Sequence, residues 1–455
     1  MAKDYKLPLG KRVRLMSGAE IIVEKELGEG GQGVVYQVDC NGKKMALKWY
    51  KPNGMGKDHL AFRENLKNLV QKGTPSSAFL WPEALTEWEN GVFGYIMDLR
   101  PADYYEVGEY MLTRVRFASF KTIIDAALSI TEAYRSLHIK GYSYQDLNDG
   151  NFFIHPKTGK VLICDNENVA PNGTNMGILG KPRYMAPEVV MGKNPPNTAS
   201  DAFSMSVILF ILFTLTHPLE GRRSLEPVMT EELQKKLYGS EPLFIMDPQN
   251  KANAPDPKVH CNIGMLWGYL PQYMKDLFLK AFSQDALLNP SHRILERDWI
   301  KNLVRFRSEI IACQCGNEVF TDQGKSTTCE CCRRPIRIPA RLVFPSYAIP
   351  AIAGARIYRT QLGVCNAIYI FPGNQYDKSR YLDNSRPEHV TVTFSDGSTM
   401  QFTLKDMMEG QAMVLSEPVV TDSVRITIDS VFHGSEYTDT VISDVAFDAY
   451  MPVFE

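Results

Sequence analysis

The chain has 455 residues, 44% hydrophobic and 22% charged, with a formal net charge of −2. That is more than one hydrophobic core organises, roughly two to four domains' worth, and the composition excludes a disordered or fibrous protein. The near-zero charge argues against nucleic acid or an anionic membrane as the main partner. The N-terminal stretch Met1–Leu15 is basic but has no apolar core of signal-peptide length. Arg12–Met16 and Ile21–Leu27 read as strands about a Ser17-Gly18 turn, and Val34–Val38 and Lys44–Trp49 as strands about Asn41-Gly42. Between the two hairpins lies Gly28-Glu29-Gly30-Gly31-Gln32-Gly33, where glycines let main-chain N–H groups approach phosphates without side-chain interference. A strand rather than a helix follows, which disfavours a dinucleotide fold. Lys48 on the next strand can reach the phosphates. Glu64 in the helical stretch Leu60–Val70 is its natural counter-ion, and Leu60, Phe62, Leu66, Leu69 and Val70 form that helix's apolar stripe.

From Phe117 the periodicity turns helical, over Ile123–Leu137, Ala202–Leu215, Glu231–Leu237, Met274–Phe282 and Asp298–Phe306. The longest apolar run, Val207–Leu215, is too short to cross a bilayer. Within this half, Asp146 and Asn151 stand five apart, and Asp165 follows on a turn after two strand-like runs. With the glycine loop and Lys48 ahead of them, these residues resemble the protein kinase family, and the resemblance runs to about residue 306.

The resemblance implies that Asp146 is the base for a substrate hydroxyl and that Asn151 and Asp165 hold Mg2+. It implies that Gly28, Glu29, Gly30, Gly31 and Gly33 cover the phosphates of ATP, with Lys48 and Glu64 orienting them. Val35, Ala46 and Phe153 would sandwich the purine, and Met97, Asp98 and Leu99 would form the hinge behind it. Met185-Ala186-Pro187-Glu188 would close the activation loop, Arg293 would pair with Glu188, and Asp201 would hold the catalytic loop. Phrases such as Leu27-Gly28-Glu29-Gly30-Gly31-Gln32-Gly33 and His217-Pro218-Leu219-Glu220-Gly221 are similar to a bacterial subgroup of Ser/Thr-type kinases. Gly180-Lys181-Pro182-Arg183-Tyr184 resembles the Ser/Thr substrate-docking stretch.

Three departures stand out. Tyr144-Gln145-Asp146 lacks the arginine that usually receives an activation-loop phosphate. Asn148 replaces the lysine that would steady the γ-phosphate. Asp165-Asn166-Glu167 keeps the metal-binding Asp but loses the apolar residue after it; Asn68 and Asn166 are expected to hydrogen-bond, with Tyr144 packed beside them. Thr174 is the one conventional phosphosite in the segment.

Cys313-Gln314-Cys315 and Cys329-Glu330-Cys331-Cys332 are two knuckles separated by thirteen residues, and thiolates on two tight turns make a tetrahedral Zn2+ site. Cys332 is preferred to Cys331 as the fourth ligand because Cys329-x-x-Cys332 has the commoner spacing. From about 345 the chain reads as an all-β sandwich. Its stretches Asn384–Gly397, Phe402–Gln411 and Val424–Val445 are similar to discoidin-like (galactose-binding-like) domains, closest to the NADase-type glycan-binding domain.

The expected fold class is α+β: a bilobal kinase domain over 1–308 (small lobe about 1–98, large lobe about 101–308), a zinc-ribbon-like segment over 309–340, and a β-sandwich recognition module over 341–455. The expected function is ATP- and Mg-dependent phosphorylation of Ser/Thr hydroxyls on a protein substrate, in the cytoplasm, with a partner or small ligand at the sandwich. The alternative is a nucleotide-binding pseudokinase scaffold; a minor third reading has a small molecule as the phosphoryl acceptor.

Overall fold

The computed structural model describes residues 5–55, 58–175, 180–313, 315–320, 327–329, 331–336, 349–350, 355–375, 378–438 and 440–450. The chain divides into two compact units. One comprises Met1–Ala118, Gly141–Leu270 and Lys275–Leu295, and the other Ser119–Lys140, Pro271–Met274 and Glu296–Glu455.

The first unit opens with six antiparallel strands: β1 (Arg12–Arg14), β2 (Glu20–Glu29), β3 (Gly33–Cys40), β4 (Lys43–Tyr50), β5 (Ala84–Leu85) and β6 (Gly94–Asp98), in the order β1-β2-β3-β4-β6-β5. Asn41 and Gly42 both take positive φ, 52° and 85°, the geometry a two-residue hairpin demands between β3 and β4. That turn sets the register in which Val35 faces Lys48; on the other side of β4, Ala46 faces Met97 of β6. Helix α1 (His59–Lys72) is capped by the Asp58 carboxylate and buries Phe62, Leu66 and Leu69. Leu60, expected on that stripe, is 73% exposed, because the stripe at 62, 66 and 69 fixes the helix phase and turns position 60 outward.

Beyond the sheet, the helix Thr198–Thr214 is buried along nearly its whole length and starts with a capping box between Asn197 and Ser200. Its Phe210 packs against Phe244, Phe278 and Phe282, with ring separations of 5.1–6.5 Å within this group. Arg293 grips Glu188 in a buried two-point ion pair at 2.8 and 2.5 Å.

In the second unit, the helices Phe120–Ile139 and Glu296–Ser308 are joined by His138–Glu296 (2.7 Å) and Arg307–Asp125 (2.5 Å). The first of them bonds the C-terminal β region through Arg135 to Gln375 and Ser136 to Glu409, so it groups with that region. The C-terminal strands Ile349–Pro350, Ala355–Pro372, Arg386–Phe394, Thr399–Thr403, Gln411–Phe432 and Ile442–Tyr450 form a six-stranded antiparallel sheet. Register shifts in Ala355–Pro372 bend that long strand. The sheet's core includes Ile368, Ile370, Val390, Val392, Val424 and Ile426. Arg386 is 4% exposed and clasps Asp406 at 2.8 and 2.7 Å, while Ser443 holds the Gly373 carbonyl at 2.8 Å. Both lock the fold locally; Asp439 lies outside the described residues.

Candidate active site

Lys48 projects from the middle of β4 and is 5% exposed. Its ammonium bonds Asp165 Oδ1 at 2.9 Å, reaches Gln32 Oε1 of the glycine loop at 3.4 Å, and pairs closely with Glu167. Glu167 is fully buried, and its second oxygen accepts from Tyr95 Oη at 2.9 Å. Burial pushes the Glu167 carboxyl up while the Lys48 ammonium opposes it; the lysine itself stays charged because two carboxylates outweigh its desolvation.

Glu64 does not fill the role expected of it. Its side chain is 61% exposed and faces Lys67 at 3.4 Å. Two residues past Phe62, it is rotated about 200° from the buried stripe, so α1 cannot present it to β4. Asn65, not Asn68, reaches inward to the Val169 carbonyl at 2.9 Å, and Asn68 is exposed. Asn166 instead donates to the Leu80 and Ile163 carbonyls at 2.8 and 3.0 Å, and Tyr144 donates to the Cys164 carbonyl. The counter-ion has thus moved from the helix to the turn carrying Asp165. Glu167 lies on a buried turn, and a carboxylate there needs a cation.

Asp165 sits in the left-handed region at φ 56°, which swings its carboxylate toward Lys48. Asn151 donates its amide to the Asp146 carbonyl at 2.8 Å, which leaves its Oδ1 as the end available to a cation. The catalytic-loop turn hangs from Asp201, whose two oxygens accept the Tyr144 and Gln145 N–H groups at 2.6 and 3.1 Å. Asp146 is held by Asn148 Nδ2 on Oδ1 and Asn168 Nδ2 on Oδ2, both at 3.2 Å. Burial, and then the charge of Asp165, push its carboxyl up to about 6. Gln145, in the arginine's place, donates to the Thr174 carbonyl at 2.6 Å and so tethers the activation segment by a neutral bond.

Around the expected nucleotide, Val35 and Ala46 lie on adjacent strands, and Met97 opposite Ala46. Asp98 is tied outward to Lys43 at 2.8 Å, and Leu99 follows it off the strand end. Phe153 is half-buried, with the Arg100 guanidinium 4.3 Å over its ring. An added Cβ at Gly28, Gly30 or Gly31 would meet nothing within 4 Å, so the protein's own packing does not demand glycine there; a phosphate approaching the main chain would. Gly33 differs: a Cβ would strike the Trp49 carbonyl at 2.4 Å. The Glu29 side chain is bound to Lys51 and Lys6 at 2.7 and 2.9 Å, which leaves only its main chain to face a ligand. These open glycines, with Asn151 Oδ1 and Asp165, fit a nucleotide triphosphate with a hard, oxygen-seeking cation.

In the second unit, the thiols of Cys313, Cys315, Cys329 and Cys332 lie within 4.8 Å of one another, with Cys313–Cys332 and Cys315–Cys329 at 3.6 Å. A tetrahedron of Zn–S bonds of about 2.3 Å has edges of about 3.8 Å, so the set fits zinc. Cys331 is exposed and outside the cluster.

Asp146, Asn151, Asp165 and the buried Lys48 thus line one cleft under a glycine loop. Residues 21–293 match the family model for the protein kinase domain, and residues 358–448 match that for the NAD glycohydrolase translocation F5/8 type C domain. The chain belongs to the protein kinase family. It is 21% identical over 328 residues to the protein kinase YegI of Escherichia coli, covering 66% of this chain and 47% of that protein. It is 27% identical over 218 residues to the dual specificity protein kinase shkE of Dictyostelium discoideum (46% of this chain, 30% of that one). With the serine/threonine-protein kinase Sgk1 of Xenopus tropicalis it shares 29% over 143 residues (30% and 34%). The chain spans less than half the length of each of these relatives.

Proposed function

We propose that the chain is an ATP- and Mg-dependent protein kinase that phosphorylates Ser/Thr hydroxyls. The observation that carries this is the Lys48–Asp165–Glu167 cluster beside an Asp146 whose two oxygens are aimed by amides. Lys48 would bind the α/β-phosphates, kept charged and in place by Glu167. Magnesium held by Asn151 and Asp165 would neutralise charge building on the phosphates. Asp146 would orient the incoming hydroxyl and take its proton; a carboxyl at about 6 is ionised at neutral pH yet basic enough to accept that proton. A nucleotide-binding scaffold fits Asn148 but leaves the aimed Asp146 without a use.

The four-thiol cluster would hold a structural zinc, which requires reduced thiols and so supports a cytoplasmic setting. The C-terminal β region would dock a partner or small ligand. Label transfer from γ-labelled MgATP to a generic protein substrate, compared with Asp146→Asn, tests the reading; equal silence of both proteins contradicts it.

A further inference from the structure

Asn148 stands where a lysine was expected, yet the structure puts an amine beside it. Lys181 Nζ donates to Asn148 Oδ1 at 2.8 Å, and the same asparagine's Nδ2 donates to Asp146 Oδ1 at 3.2 Å. One side-chain amide therefore bridges the base and the ammonium. Of the charges acting on Asp146, Lys181 favours its ionised form whereas Asp165 opposes it. Gly180, at φ 89°, brings the chain to this place: a Cβ there would lie 3.1 Å from the Gln145 carbonyl and 3.4 Å from Asp146 Oδ1.

The main chain under Lys181 is anchored. Its carbonyl accepts the N–H groups of Tyr184 and Met185 at 2.8 and 3.1 Å. Arg183 is clamped two-point by Glu220 at 2.6 and 2.8 Å, and the Tyr184 carbonyl accepts from Ser204 Oγ at 2.6 Å. On this fixed base the side chain is exposed, and Asn148 takes one of the three donors a lysine carries.

We propose that Lys181 supplies, from the activation segment, the cation that a lysine at position 148 would have supplied from the catalytic loop, and that it contacts the γ-phosphoryl oxygens during transfer. The proposal rests on the kinase reading. In the step, the substrate hydroxyl oxygen bonds to the γ-phosphorus as the bond from that phosphorus to the β-phosphate oxygen breaks. The bonding pair leaves with ADP and the hydroxyl proton passes to Asp146. Lys181 donates hydrogen bonds to the equatorial oxygens, where charge spreads, and neither gains nor loses its proton.

The test compares wild type, Lys181→Met, and the double variant Lys181→Met/Asn148→Lys for kcat, the KM for MgATP and the melting temperature. Losing one preorganised donor should lower kcat by about 10²-fold, with the KM for MgATP and the melting temperature little changed. Returning the amine through position 148 should recover most of that loss. A Lys181→Met protein that keeps kcat within about twofold overturns the proposal, as does a double variant no faster than the single one. Absence of transfer by wild type overturns the kinase reading itself, and the proposal with it.

Discussion

Replacing Glu167 by glutamine removes one negative charge from a fully buried site and leaves the shape unchanged. Tyr95 keeps an acceptor, but the Lys48 ammonium loses its closest carboxylate and retains Asp165 at 2.9 Å. A hydrogen bond to a charged group contributes about 1.5–3 kcal/mol, so Glu167→Gln should cost about that much unfolding free energy. The alanine variant leaves the lysine less compensated and should cost about 3–5 kcal/mol. A lysine free to swing toward Asp165 no longer aims at the phosphates, and misplacement of about 1 Å reduces turnover by about 10²-fold. Glu64→Ala is the control: with a side chain 61% exposed, it should stay within about 0.5 kcal/mol and near wild-type turnover. Urea unfolding and steady-state kinetics at varied MgATP read both quantities. Equal damage from Glu64→Ala, or an innocuous Glu167→Gln, refutes the relocated ion pair.

Two further outcomes follow from the geometry. Because Asp146 must be ionised to accept a proton and burial raises its carboxyl, kcat/KM at fixed MgATP should fall about tenfold per pH unit on the acid side of that carboxyl's titration and level off above it, with Mg2+ on Asp165 drawing the midpoint below the metal-free value; a profile with no acid limb contradicts this assignment. Metal analysis should find zinc in wild type and in Cys331→Ser but not in Cys329→Ser, and chelation should lower the melting temperature of wild type; loss of zinc from Cys331→Ser would assign the fourth thiolate wrongly.

Much of the cleft was legible because its residues carry chemistry at fixed spacing. Asp146, Asn151 and Asp165 stand on short turns whose geometry local sequence dictates, and Asn41-Gly42 names its own hairpin. Glu64 has the expected place in the motif order, but helix phase overrides it. Phe62, Leu66 and Leu69 already assigned the buried face, and a residue two past Phe62 is on the other side. Glu167 and Lys181 were harder to see, since each works across a long chain separation: 119 residues between Lys48 and Glu167, 33 between Asn148 and Lys181. Spacing rules describe neighbours along the chain, and such pairings arise only when the fold closes. The C-terminal region illustrates the same limit: its alternating strands were readable, but its pairing follows from bulged strands of 18 and 22 residues that periodicity alone does not delimit.

The central claim is that this cleft transfers phosphate, and the most direct measurement is incorporation of γ-labelled phosphate from MgATP into a generic protein substrate, run beside Asp146→Asn with nucleotide binding followed by thermal shift. The account predicts incorporation by wild type, loss of about 10²-fold or more in the variant, and stabilisation of both proteins by MgATP. Equal silence with retained nucleotide binding would contradict it and make the chain a nucleotide-binding scaffold.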